Sequence, residues 1–127
     1  MKEVIIIIVI LLIIFLGNIA IQMYLGKSID EIEPELNKLK IEAVYKKNFT
    51  EAKNILDNIL ENWDNKKEKW SVIADHNHID KIELSLISIK SKIELEEEME
   101  LLSEIDKSIF LLKDTKEKNV LKLKNIF

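Results

Sequence analysis

Hydrophobic positions fall along this chain in two regimes. Val4 to Leu16 (VIIIIVILLIIFL) is unbroken hydrocarbon, and with the uncharged residues that follow it extends to Leu25 as 22 residues without a charge. At about 1.5 Å per residue this is ~33 Å of helix, enough to cross the ~30 Å hydrocarbon layer of a bilayer. The pattern predicts a transmembrane anchor over residues 1–27. A cleaved signal peptide competes with it, since Gly26 and Ser28 supply small residues at a suitable spacing. The apolar stretch, however, exceeds the ~7 to 15 residues usual for a signal. Asn18 and Gln22, one turn apart on this helix, either hold a second transmembrane helix by interhelical hydrogen bonds or reach headgroup water.

After the anchor, apolar residues recur singly at helical spacing. From Glu35 onward there is neither Gly nor Pro, and only the tail carries any alternation. The fold class is therefore all-α, with residues 28–127 forming one small helical domain. Leu36, Leu39, Ala43 and Val44 predict a helix over 34–47, with Pro34 in its first turn or at a kink, and Thr50 as the cap of the next. Ala52, Leu56, Ile59, Trp63, Lys66, Trp70 and Ile73 then form a heptad seam over 50–75. Ile79, Ile82, Leu86, Ile89 and Ile93 form another, continued out of phase by Leu95, Leu102, Ile105, Ile109 and Leu112, so that one helix spans 79–116 before a C-terminal tail. Two long amphipathic helices joined by a short corner predict a small antiparallel hairpin or three-helix bundle, with Ile73 opposite Ile82, Trp70 near Leu86 and Trp63 near Ile93.

Composition narrows the chemistry. The net charge is -4, and all 19 basic residues are lysines. With no guanidinium for bidentate phosphate or guanine recognition, nucleic acid is not an expected partner. Cysteine is absent, which excludes disulfides, thiolate catalysis and thiolate metal sites. No glycine-rich phosphate loop or activated nucleophile supports catalysis, so a non-enzymatic protein without cofactors is expected. The acidic run Glu94 to Glu100 lacks the turn residues of a calcium loop and reads as a solvated face. Lys116, Lys118, Lys122 and Lys124 either solvate the tail or touch anionic headgroups.

WSVIADHNHIDKI, residues 70–82, holds both histidines between two aspartates. Histidines two apart on a helix point ~200° apart, so His76 and His78 share a metal only if the segment is a loop. In a loop Asp75, His76, His78 and Asp80 could converge into a zinc site or a pH sensor. The plainer reading makes Asp75, Asn77 or His78 a helix cap at the corner. Trp63 and Trp70 pack in the core or form an aromatic box. Asn125, Ile126 and Phe127 close the chain with an apolar end that docks on the domain or binds a partner.

In these features the chain resembles the domain-of-unknown-function 4363 family of small bacterial membrane-anchored proteins. The matching residues are the anchor, Trp70, Asp75, His76, Asp80 and Ile82 of the central segment, and the closing Asn125 and Ile126. His78 departs from the acidic residue expected there, which weakens a His–His pair. The resemblance carries no established activity; it implies a domain outside the cytoplasm and small multi-pass membrane proteins as partners. The expectation is a single-pass membrane protein whose domain serves as an accessory or interaction module, with Asn18, Gln22, Trp63, Trp70, Asn125, Ile126 and Phe127 as interaction candidates. Metal or pH sensing through the central segment and self-assembly through the heptad seams are the alternatives.

Overall fold

A single helix carries both hydrophobic regimes. In the computed structural model, which describes residues 1–126 and the side chains of all of these except Ile73 and 119–126, α1 runs from Lys2 to Lys40 without a break. A π-helical turn, Ile41–Tyr45, continues it. Then come α2 (Phe49–Ile73), α3 (His76–Glu94) and α4 (Glu98–Ile126). No strand occurs among the described residues. The helix predicted over 34–47 is thus the distal part of a rod that begins in the apolar segment, and Pro34 lies inside it. Its ring removes one backbone donor, a loss of about 3 kcal/mol in an isolated helix, which the packing of α1 on either side of this point offsets.

Each helix packs on the next, and α4 returns to pack on α1. Side-chain pairs give the directions: Lys66 of α2 bonds Glu31 of α1, Lys67 of α2 bonds Glu83 of α3, and Lys92 of α3 bonds Glu100 of α4. Lys40, Lys113 and Lys116 pair with Asp106, Glu33 and Asp30 between α1 and α4. Along the last three pairs rising numbers on α4 meet falling numbers on α1, so these two helices run antiparallel.

The core is one cluster drawn from all four helices. Its α2 stripe is Ala52, Ile55, Leu56, Ile59, Trp63 and Trp70, and its α3 stripe is Ile79, Ile82, Leu86, Ile89 and Ile93. The α1 stripe starts earlier than the sequence pattern indicates, with Leu25, Ile29 and Ile32 buried ahead of Leu36, Leu39 and Ala43. Ile73, expected opposite Ile82, lies outside the described side chains.

The long helix expected over 79–116 is two helices. Glu97 N–H donates to the Lys92 carbonyl at 3.0 Å and Glu96 N–H to the Ile93 carbonyl at 3.1 Å, the paired bonds of a Schellman end. Glu96 occupies the left-handed position at φ 54°. Glycine normally takes that place, and its absence hides the turn from a reading of sequence. The break resets the phase. The α4 seam is Leu101, Ile105, Ser108, Leu112 and Thr115, whereas Leu102 and Ile109 are only half-buried and Leu95 is 63% exposed. Asn48, rather than Thr50, caps α2 by accepting the Glu51 N–H at 3.2 Å.

Two substitutions test this break. Leu101→Ala should cost ~2–5 kcal/mol and Leu95→Ala less than ~0.5 kcal/mol in denaturant unfolding, where one continuous seam would make both costly. Glu96→Gly should stabilise by up to ~1 kcal/mol, because it relieves a left-handed non-glycine residue; a loss of stability there would contradict the turn.

Candidate functional site

The central segment forms the corner between α2 and α3. Trp70 ends the α2 stripe, and its carbonyl accepts the Ala74 N–H at 2.7 Å. Ala74 is extended, and Asp75 caps α3, its Oδ1 accepting the Asn77 N–H at 3.0 Å. His76 is therefore already helical, so the two rings diverge. His76 and Asp80 are exposed, while His78 turns toward α4. There the Lys118 ammonium lies 3.2 Å from His78 Nε2 and 3.1 Å from Asp114 Oδ2, and His78 stands 4.0 Å from that carboxylate. The segment ties α3 to α4 through one histidine. Among the described residues no group of three or more His, Cys, Asp or Glu is placed to hold a metal ion.

Trp63 and Trp70 sit edge to face with ring centroids 5.4 Å apart and planes at 80°. Both are buried, so neither presents a ring to a ligand. Their indole N–H groups are buried without an acceptor among the described residues. Between α3 and α4, Ser85 Oγ and Ser108 Oγ lie 2.5 Å apart, and both hydroxyls reach the Glu104 carbonyl, at 3.4 and 3.0 Å. Small residues let these helices approach closely, and the two hydroxyls bond each other and a backbone carbonyl within the seam.

The lysine in the α2 seam has a partner the sequence does not reveal. The Lys66 side chain is 13% exposed and its ammonium donates to Glu31, which holds that carboxyl below the usual carboxylate range. Hydrogen bonds to Asp106 and Glu83 hold Lys40 and Lys67 above the usual lysine range. The Glu31 contribution is present above the ordinary carboxylate pKa and is lost as pH falls through its lowered value; the two lysine contributions are present at neutral pH and vanish only as pH rises through theirs.

Asn18 and Gln22 are half-buried. Asn18, Gln22, Leu25, Ile29, Ile32, Leu36, Leu39 and Ala43 step by fours and threes, so the polar pair continues the core stripe of α1 into the apolar segment. Its face is thus the one turned toward the chain's own domain. Residues 4–17 are exposed all round, and the helix is long and apolar enough to cross a membrane, with none of that apolar stretch buried. Asn125 and Ile126 belong to the end of α4 but their side chains, like Phe127 as a whole, lie outside the described residues.

A second surface escapes a reading of the seams. Leu84 and Ile87 of α3 and Phe110 of α4 are exposed apolar residues. Leu84 and Phe110 line a groove of about 470 Å³ with Lys81, Ser85, Ser88, Glu104, Lys107 and Leu111. Single apolar residues on the polar face of an amphipathic helix leave no periodic signal; only the side-by-side packing of α3 and α4 gathers them.

The model of the family described as "Domain of unknown function (DUF4363)" matches residues 19–126, and the chain belongs to that family. No curated protein and no solved structure matches it. The matched region begins where α1 first becomes half-buried, so it covers the helical domain and excludes most of the exposed apolar segment.

On this geometry, zinc added to the full-length chain in detergent should give no binding heat and leave the melting temperature unchanged. A stoichiometric heat lost in His78→Ala would restore a metal site at the corner.

Proposed function

We propose that this DUF4363 member is a single-pass membrane protein whose helical bundle, on the extracytoplasmic side, acts without catalysis as an accessory or interaction module for another membrane protein. The observation that carries the reading is α1, whose exposed apolar segment passes without a linker into the wall of the domain. A domain held by such a rod keeps a fixed orientation to the bilayer, which suits it to meet a partner in the same membrane rather than to search solution. The apolar groove of Leu84 and Phe110 gives such a partner a surface independent of the core. Polar side chains in the rest of the domain pair between helices or solvate faces, which supports packing and recognition over chemistry.

Copurification of the tagged full-length protein from its own membrane in mild detergent tests this. A stoichiometric membrane protein should come along and should be lost on Leu84→Glu or Phe110→Glu, with the melting temperature of the variants unchanged. Recovery of the chain alone across several detergents would refute the reading, and a sedimentation dimer in its place would favour self-assembly.

A further inference from the structure

The outer groove between α3 and α4 keeps its lysines free, whereas the seams around it pair theirs. On the α2 side Lys67 meets Glu83, and on the α1 side Lys40, Lys113 and Lys116 meet Asp106, Glu33 and Asp30. Toward the two ends of the α3–α4 contact Lys92 binds Glu97 and Glu100, and Lys118 binds Asp114. Within the groove Lys81 stands on the α3 wall and Lys107 on the α4 wall; both are exposed, and neither forms an ion pair among the described residues. Glu104 is the one carboxylate of the lining. Lys81, Leu84 and Ser88 step by three and four residues along α3, and Ser103, Lys107 and Phe110 by four and three along α4. Each trio is therefore a stripe on the outer side of its helix, away from the core. Leu84 and Phe110 are each 66% exposed, and the serines beside them leave hollows.

We propose that this groove receives one amphipathic helix of the membrane partner, a helix whose apolar seam is flanked by carboxylates. The inference rests on the accessory role proposed above and names the chemistry of the segment that binds. Two neighbouring stripes with apolar knobs and small residues present the ridges and grooves that a third helix fills. Charge selects the occupant. The lining holds two lysines against one glutamate, so an acidic helix gains at both walls; a second copy, held parallel by the same anchor, would bring Lys81 and Lys107 against their own counterparts. Register then sets the spacing. Lys92 meets Glu100 and Ser85 meets Ser108, so α3 and α4 run antiparallel and Lys107 is level with residue 86. From that level to Lys81 is five residues, about 7.5 Å at 1.5 Å per residue. Carboxylates five positions apart on a helix diverge by ~140°, which sets one on each edge of its apolar seam and one beside each lysine.

Photocrosslinking in the native membrane tests this. Benzoylphenylalanine is placed at position 110 of the full-length chain or, as control, at position 45 in the π-helical turn, where Tyr45 is 68% exposed. Irradiation should join position 110, and not 45, to a membrane protein, through a peptide whose sequence is an amphipathic helix with acidic residues beside its apolar positions. Lys81→Glu combined with Lys107→Glu should cut the adduct roughly tenfold at an unchanged melting temperature. Lys90→Glu, at an exposed lysine on the α2 side of α3, should leave it intact. Adducts to lipid, to a second copy or to a basic segment would overturn the proposal, as would adducts indifferent to the double reversal. A partner that copurifies yet gives no adduct at 110 would remove the groove and leave the accessory role standing. A chain that copurifies alone would remove both.

Discussion

The structure depends on one buried stripe along α1. Leu25, Ile29, Ile32, Leu36, Leu39 and Ala43 are all buried, and they bring α1 against α2 on one side and α4 on the other. Fully burying a side chain of this size is worth ~1.5–3 kcal/mol, so the stripe alone outweighs the cost of Pro34 within the same helix. The same stripe closes the ring of helices: without it α2 and α3 would pack on each other, and α4 would have only α3. A domain of about 100 residues has little core to spare. The helix that carries the exposed apolar segment is therefore no appendage, because the domain's core is incomplete without it.

Charged pairs play a different part. Lys40 with Asp106, Lys113 with Glu33 and Lys116 with Asp30 run along the seam between α1 and α4, yet all keep contact with water, which screens them and leaves them little direct weight in stability. Their value lies in register. A slide of one turn between α1 and α4 would part each of these lysines from the carboxylate it now meets. Lys66 is the sharper case: in the middle of the α2 seam between Trp63 and Trp70, it places its methylenes in the core and its ammonium on Glu31, so the seam accepts only the neighbour that brings that carboxylate.

Sequence reasoning recovers the helical class, the α2 and α3 stripes and the family, and it expects a corner in the central segment, which falls at Ala74 and Asp75 rather than across His76 to His78. These follow from local spacing, which a heptad with two tryptophans states strongly. It places α4 out of phase because the turn at 95–97 uses a glutamate where glycine would announce it, and Leu102 looks as eligible as Leu101 until the turn fixes the phase. It divides α1 at residue 27 because a run without charge reads as lipid-facing, although Leu25 serves the domain. The corner histidines illustrate the limit of pattern. Their spacing suggests a shared ligand, but the cap on Asp75 starts the helix at His76, three residues earlier than the idea needs, and His78 then belongs to Lys118 and Asp114.

Continuity has a further consequence for the apolar segment. A helix turns 100° per residue, so once Leu25 and Ile29 are fixed against the domain, the direction of every side chain nearer the N-terminus is fixed too. Asn18 and Gln22 fall on the stripe, toward the side along which the backbone of α4 runs to Ile126. The exposed faces of residues 4–17 are then apolar throughout, aliphatic except at Phe15 and Gly17, so any packing against them would rest on shape rather than on amide hydrogen bonds. Any rotation of α1 about its axis would carry the outer side of α3 and α4 with it, since α1 runs as one helix from Lys2 to Lys40 and its stripe is part of the core.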